Sequence, residues 1–262
     1  MQIQQILSKY NITPQKKFGQ NFLIDNEVIN KLLKTANLNK KDIVLEVGPG
    51  LGSLTTRIAP EVKKLIAVEF DRNMIPILKE QTQNTKNLQI LNQDILDFQP
   101  RDWKLEARNY KLIGAIPYQI TSPLIHKIIN WNNKPIKAVL MIQKEVAEKI
   151  CATNKKASYL SNFVSSFGEA KIIKIVPPQS FYPSPKVNSA IIEINFFEKS
   201  LVSDPKKFSY FLHRGFSSPR KMIHHSFDKE LLQSVNIDNQ LRPEKLTLTK
   251  WIALYKRLQN CH

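Results

Sequence analysis

Three of the chain's seven glycines fall within five residues, in Glu46-Val47-Gly48-Pro49-Gly50-Leu51-Gly52. Glycine adopts backbone conformations that other residues avoid, and it lets main-chain amides approach a ligand closely. Placed between a strand and a helix, such a turn suits a ligand with negative or accepting groups. A dinucleotide turn has the spacing G-x-G-x-x-G. Here the sixth position is Ser53, so the spacing is GxGxG. That favours S-adenosylmethionine, which has no pyrophosphate to cradle. A tight turn that binds nothing is the plainer alternative. Glu69 follows Gly48 by 21 residues and closes the next apolar run. An acid there can accept both hydroxyls of a ribose. Asp94 closes the third run, where it can accept a hydrogen bond from an adenine amine. Either acid alone reads equally well as a surface residue at a strand end. Three successive strand ends that each carry a ligand-type residue are harder to explain by chance.

Two further segments combine rigidity with aromatic rings. Gly114-Ala115-Ile116-Pro117-Tyr118 closes a fourth apolar run, and Phe181-Tyr182-Pro183-Ser184-Pro185 lies in a later loop. Each is also compatible with an ordinary packed loop. A flat ring held by proline can stack on a nucleobase, for about 1–3 kcal/mol. Two such loops around one crevice suggest a sandwich for a base taken out of its stack.

These residues need strands that end at one edge. Ile43 to Val47, Leu65 to Phe70, Leu88 to Asp94, Tyr110 to Ile116 and Ala138 to Ile142 read as buried strands. Helical stretches are expected at Ser53 to Ala59, Arg72 to Gln81, Ser122 to Trp131, Gln143 to Cys151 and Ser158 to Phe167. The alternation predicts an α/β fold, a doubly wound parallel sheet with right-handed crossovers. Lys171 to Val176 and Ala190 to Phe196 have only a Pro-rich loop between them, which predicts a hairpin at one edge. From Asp204 onward the segments are helical, such as Pro205 to Phe216 and Thr247 to Leu258. The expected division is therefore 1–198 for a ligand-binding domain and 199–262 for a small helical one.

The chain has 262 residues, with 39 Lys+Arg against 22 Asp+Glu, a net charge of +17. Such a balance points to a polyanionic partner. Residues 201–262 hold 11 Lys/Arg against 5 Asp/Glu, so the tail is the denser in positive charge. Arg214, Arg220 and Lys221 are its candidate phosphate contacts. Cys151 and Cys261 form no disulfide framework and no metal-ligand spacing. That predicts a reducing, cytoplasmic home. Adjacent His224 and His225 do not face one site if helical, so no metal is expected. Trp103, Trp131 and Trp251 read as packing residues rather than base stackers. No run of 18 apolar residues exists, which predicts no membrane helix. No Ser-His-Asp or Cys-His spacing argues for covalent catalysis.

Taken together, these motifs resemble those of the ribosomal RNA adenine N6-dimethyltransferases over most of the chain. Lys17-Phe18-Gly19-Gln20-Asn21-Phe22-Leu23 looks like the family's first cofactor motif, and Glu46 to Gly52, Glu69 and Asp94 match the next three. Ile142-Gln143-Lys144-Glu145-Val146-Ala147 and Phe181 to Val187 match later ones. Thr121-Ser122-Pro123-Leu124, Lys186 to Ala190 and Leu241-Arg242-Pro243-Glu244-Lys245-Leu246 look like the small-subunit branch. That branch dimethylates two adjacent adenosines near the 3′ end of small-subunit rRNA. The resemblance implies a Rossmann-like methyltransferase sheet with S-adenosylmethionine as cofactor. It implies cofactor contacts from Asn21, Leu23, Gly48, Gly50, Glu69, Asp94 and the 115 position. Ile116, Pro117, Tyr118 and Phe181 would line the target-base pocket, with a basic tail on rRNA. The expected partner is the assembling small ribosomal subunit, and the expected state a monomer. In one respect the chain departs. The family's pocket motif begins with Asn, and here Ala115 takes that place. The Asn amide oxygen would accept a hydrogen of the target amine, so Ala115 predicts weakened or absent catalysis. A non-catalytic ribosome-assembly factor, or the related large-subunit rRNA methyltransferases, are the alternatives. A nicotinamide-dependent dehydrogenase is disfavoured by Ser53.

Overall fold

The computed structural model describes residues 3–15, 18–153 and 157–259. Lys17 of the first motif and Cys261 lie outside the described residues. In chain order the first elements are α1 (Ile3–Lys9), β1 (Phe22–Leu23), α2 (Asn26–Ala36), β2 (Ile43–Val47), α3 (Thr55–Ile58), β3 (Lys64–Glu69) and α4 (Met74–Gln81). β4 (Leu88–Asn92), β5 (Tyr110–Ala115), α5 (Thr121–Asn130), β6 (Lys137–Gln143), α6 (Lys144–Ile150) and α7 (Tyr159–Ser165) follow. The chain continues with β7 (Gly168–Val176), β8 (Phe181–Tyr182), β9 (Ser189–Phe196), α8 (Pro205–Phe216), α9 (Lys229–Gln233) and α10 (Leu248–Gln259).

Seven strands form one sheet in the order β4-β3-β2-β5-β6-β9-β7. The first five run parallel, and β9 is antiparallel to β6. This is a Rossmann-like α/β sheet. The inner strands β2, β3 and β5 are rich in Val, Ile and Leu and largely buried, as cover on both faces requires, whereas edge strand β4 is only partly buried. β7 stands at the edge beside β9, across the Pro-rich loop, where a hairpin was expected. The chain steps outward from β2 to β3 to β4, then returns to β5 on the other side of β2. Between β2 and β5 the winding reverses, and such a switch point opens a crevice at the carboxyl ends of the strands. The register keeps those ends level, with Val47 opposite both Val68 and Gly114.

Several boundaries differ from the sequence reading. The helix after the glycine turn has four residues, not seven. It passes into a 3-10 turn at Ala59–Glu61 because Pro60 has no amide hydrogen to continue it. β4 stops at Asn92, so Asp94 sits two residues beyond the strand. Helix α2 adds an element that the alternation did not reveal. Asp25 caps it by accepting from Glu27 N and Val28 N, and Val28, Ile29, Leu32 and Ala36 form its buried face.

Two compact units result. One comprises 1–147 and 171–196, and the other 148–170 and 197–262. The sequence division at 198 leaves 148–170 with the first domain, whereas the structure groups that segment with the helical tail. In the second unit, α7 begins with a reciprocal cap between Ser158 and Ser161. Phe208, Phe211, Leu212, Phe227, Trp251 and Leu254 are buried there. A Cβ on Gly215 would lie 2.4 Å from the Trp251 ring. An indole fixed in a core cannot yield by that much. Gly215→Ala should therefore destabilise the second unit by about 1–3 kcal/mol. Calorimetry would show it as a lowered transition, and an unchanged melting profile would mean that Trp251 can move aside.

Candidate active site

Gly48, Gly50 and Gly52 all take positive φ, at 67°, 55° and 85°. The turn after β2 therefore has the shape that only glycine adopts freely. Glu69, at the end of β3, faces it. One carboxylate oxygen accepts from Gly50 N at 2.9 Å and the other from Asp71 N at 2.8 Å. Burial pushes the Glu69 carboxyl above the usual carboxylate range, against the pull of these amides. Gln20 Nε2 donates to Asp71 Oδ2 at 2.6 Å, which ties the first motif to the β3 edge. Asp94 Oδ1 accepts from Leu96 N at 2.8 Å, so one of its oxygens is already engaged.

A two-stranded antiparallel sheet joins the first motif to the later aromatic loop. Phe22 pairs with Tyr182, and Leu23 with Phe181. Ile24 N donates to Ser180 O at 3.0 Å, and Ser180 Oγ donates to Asp25 Oδ2 at 2.8 Å. That hydroxyl is the main reason why the Asp25 carboxyl lies below its ordinary range. The segment 20–25 thus binds to both the glycine-turn side and the Phe181 side. After β5, Ile120 N donates to Pro117 O at 3.1 Å, closing a 3-10 turn that starts at Tyr118.

One cavity of about 340 Å³ brings these parts together. Asn21, Leu23, Gly48, Gly50, Glu69 and Asp94 line it. So do Ala115, Ile116, Pro117, Tyr118 and Phe181. Arg214, Arg220 and Lys221 are elsewhere, exposed on the second unit. Arg214 also has structural work. Its Nε donates to Ser226 O at 2.8 Å, and its guanidinium sits 4.9 Å from the Phe227 ring centre. Trp131 and Trp251 are buried, and Trp103 stacks near Phe98, all as packing residues. His224 Nδ1 is within 2.8 Å of Asn239 O. Among the described residues, no three His, Cys, Asp or Glu side chains converge as a metal site would need.

The cavity also contains a residue that motif reading passed over. Phe70 follows Glu69, is 58% exposed, and meets the Phe18 ring edge-on with centres 5.6 Å apart. An aromatic residue directly after a strand-end acid is a signal that could have been read. Glu46 is fully buried, and neither of its oxygens has a hydrogen-bond partner. Burial, with the Glu69 charge nearby, pushes its carboxyl up to about 8.

Comparison with known proteins is consistent across sequence and structure. The family model described as ribosomal RNA adenine dimethylase matches residues 3–260. A "Ribosomal RNA small subunit methyltransferase A" from Mesoplasma florum is 36% identical, over 94% of this chain and 98% of its own. A protein of the same name from Halothermothrix orenii is 34% identical, over 97% and 91%. Among solved structures, a dimethyladenosine transferase from Plasmodium falciparum aligns with a TM-score of 0.82 and 25% identity, over 91% of this chain and 98% of its own. The 23S rRNA methyltransferase ErmE aligns with a TM-score of 0.74 and 25% identity, over 91% and 100%.

Proposed function

The chain belongs to the ribosomal RNA adenine dimethylase family, and from that premise we propose that it transfers methyl groups from S-adenosylmethionine to two adjacent adenosines near the 3′ end of small-subunit rRNA. The observation that carries this reading is this cavity of about 340 Å³. Its glycine turn and acids lie next to its Pro-bounded aromatic rings. The relatives that match over nearly their whole length are named for the small subunit, which favours that substrate over the large-subunit rRNA of the ErmE protein.

The residues present fit the cofactor. A Cβ on Gly50 would press to 3.3 Å from the Phe22 ring, so the turn is open only as glycine. Gly48 and Gly50 would present main-chain amides, Glu69 would take the ribose hydroxyls, and Asp94 the adenine amine through its remaining oxygen. Asn21 and Leu23 would close the other side. The cofactor supplies a methyl group made electrophilic by a positively charged sulfur. The protein's task is then to hold an amine in line with it. Tyr118 and Phe181 sandwich the base, and backbone carbonyls of the 115–118 turn accept hydrogens of its amine. That favours the pyramidal nitrogen which attacks, and proximity lowers much of the barrier. No step requires a metal. A cytoplasmic monomer acting on the assembling small subunit completes the reading.

Tritiated methyl transfer to small subunits lacking the modification tests it. Label in two adjacent adenines supports the reading. Tight binding to the same subunits with no label would instead support an assembly factor, the reading that Ala115 favours. Binding should also depend steeply on salt, because each neutralised phosphate adds about −0.9 to the log–log slope on duplex nucleic acid. Changing Arg220 and Lys221 together to Ser should flatten that slope by about 2. A slope that does not move would remove both residues from the phosphate contacts.

A further inference from the structure

The target-base wall has a support to which the Lys186 to Ala190 motif assigns no role. Tyr118 Oη lies 2.8 Å from Ser189 Oγ, across 71 residues of sequence. Ser189 is the first residue of β9, wholly buried, and held opposite Gln143 of β6 in the sheet register. The neighbouring Asn188 O accepts from Lys144 N at 3.0 Å, so the strand end that carries the hydroxyl is itself fixed. Both Tyr118 and Ser189 line the cavity. The Tyr118 main chain is pinned by its 3-10 turn, with Thr121 N donating to Tyr118 O. Backbone and ring tip are thus anchored from two different elements, in a residue that lines the cavity. We propose that Ser189 is a positioning residue, which fixes the Tyr118 ring in the plane needed to stack on an extruded adenine.

The proposal rests on the rRNA-adenine reading above and adds a residue to it. A ring tethered at one end only must be immobilised when the base arrives, and that ordering opposes stacking. A ring tethered at both ends is preorganised. Burial raises the Tyr118 hydroxyl above its ordinary range, so it stays protonated and able to keep the bond at neutral pH. Ser189 touches no reacting atom, and its effect must pass through Tyr118. That makes the two residues a coupled pair in a double-mutant cycle.

The test uses an RNA of the small-subunit 3′ end with 2-aminopurine in place of a target adenine. Fluorescence reports the base leaving its stack, and calorimetry reports S-adenosylmethionine affinity separately. With the unaltered protein the signal should rise on binding. Ser189→Ala should lower the extruded-to-stacked ratio by about fivefold, the effect of one ordinary hydrogen bond. Tyr118→Phe should do the same, the double variant should lose little more, and Ser189→Thr should recover most of the signal. Cofactor affinity should stay constant throughout. An unchanged signal in Ser189→Ala, or additive losses in the double variant, overturns the positioning role alone. A loss of cofactor affinity in Ser189→Ala overturns it too, because the residue would then be a general support. No rise with the unaltered protein overturns the rRNA-adenine reading, and the proposal with it.

Discussion

Replacing Ala115 by Asn should raise the rate of methyl transfer by about 10²-fold, with the gain in kcat. The lone pair of an adenine amine is delocalised into the ring, so the amine is a weak nucleophile. It attacks once its hydrogens are accepted and its nitrogen becomes pyramidal. Ala115 ends β5, opposite Met141 of β6, and lines the cavity beside Ile116, Pro117 and Tyr118. Its backbone is held, since the next amide, Ile116 N, donates to Met141 O at 2.9 Å. Ala115 packs against the core of the sheet and also borders the cavity, so a longer side chain here starts at the cavity wall. The amide oxygen of Asn would add an acceptor for charge that develops only in the transition state. One ordinary hydrogen bond corresponds to about 5- to 150-fold in rate. A preorganised group facing developing charge reaches about 10²–10³-fold. Single-turnover transfer of labelled methyl to unmodified small subunits, compared between the two proteins, measures the difference. Equal rates would show that backbone carbonyls suffice. No label with either protein would leave binding, not transfer, as the chain's role.

How far the sequence went can be seen at particular residues. The five parallel strands were legible because each is a short segment rich in β-branched and aliphatic residues. The residues proposed for cofactor and base were legible because strand-end chemistry repeats from β2 to β5, and parallel register makes strand ends converge. Helix α2 was missed although Asp25 and the apolar spacing of Val28, Ile29, Leu32 and Ala36 mark it. The pairing of Phe22 with Tyr182 and Leu23 with Phe181 was not legible, because two-residue strands have no periodicity to read. The same holds for the Tyr118–Ser189 contact, which joins residues that only the folded sheet brings together. The structure groups 148–170 with the helical tail, although the segment adjoins α6 in the chain. Sequence proximity to α6 says nothing of which core its Phe163 and Phe167 enter.

Glu46 should make the protein lose stability as pH rises from about 5 to 8. The residue lies in β2, two positions before Gly48, with zero exposure and no hydrogen-bond partner on either oxygen. Burial pushes its carboxyl from the ordinary 4.5 up to about 8 in the folded chain. Below pH 4.5 the group is protonated in both states, and its favourable contribution is fully present. Between the two values the unfolded chain gives up this proton and the folded chain keeps it. The folded state then binds more protons, so stability falls with rising pH, by about 1.4 kcal/mol per unit for one such group. Above the folded value both states are ionised, and the contribution is lost. Glu69, also raised by burial, acts in the same direction, while Asp25, lowered chiefly by Ser180, acts in the opposite direction at more acid pH. Glu46→Gln removes the titration but leaves a polar group of the same size. Urea midpoints from pH 5 to 8 should fall in the unaltered protein and much less in the variant, so that the two curves converge toward acid pH and separate toward pH 8. Parallel curves would mean that Glu46 is ionised in the folded chain.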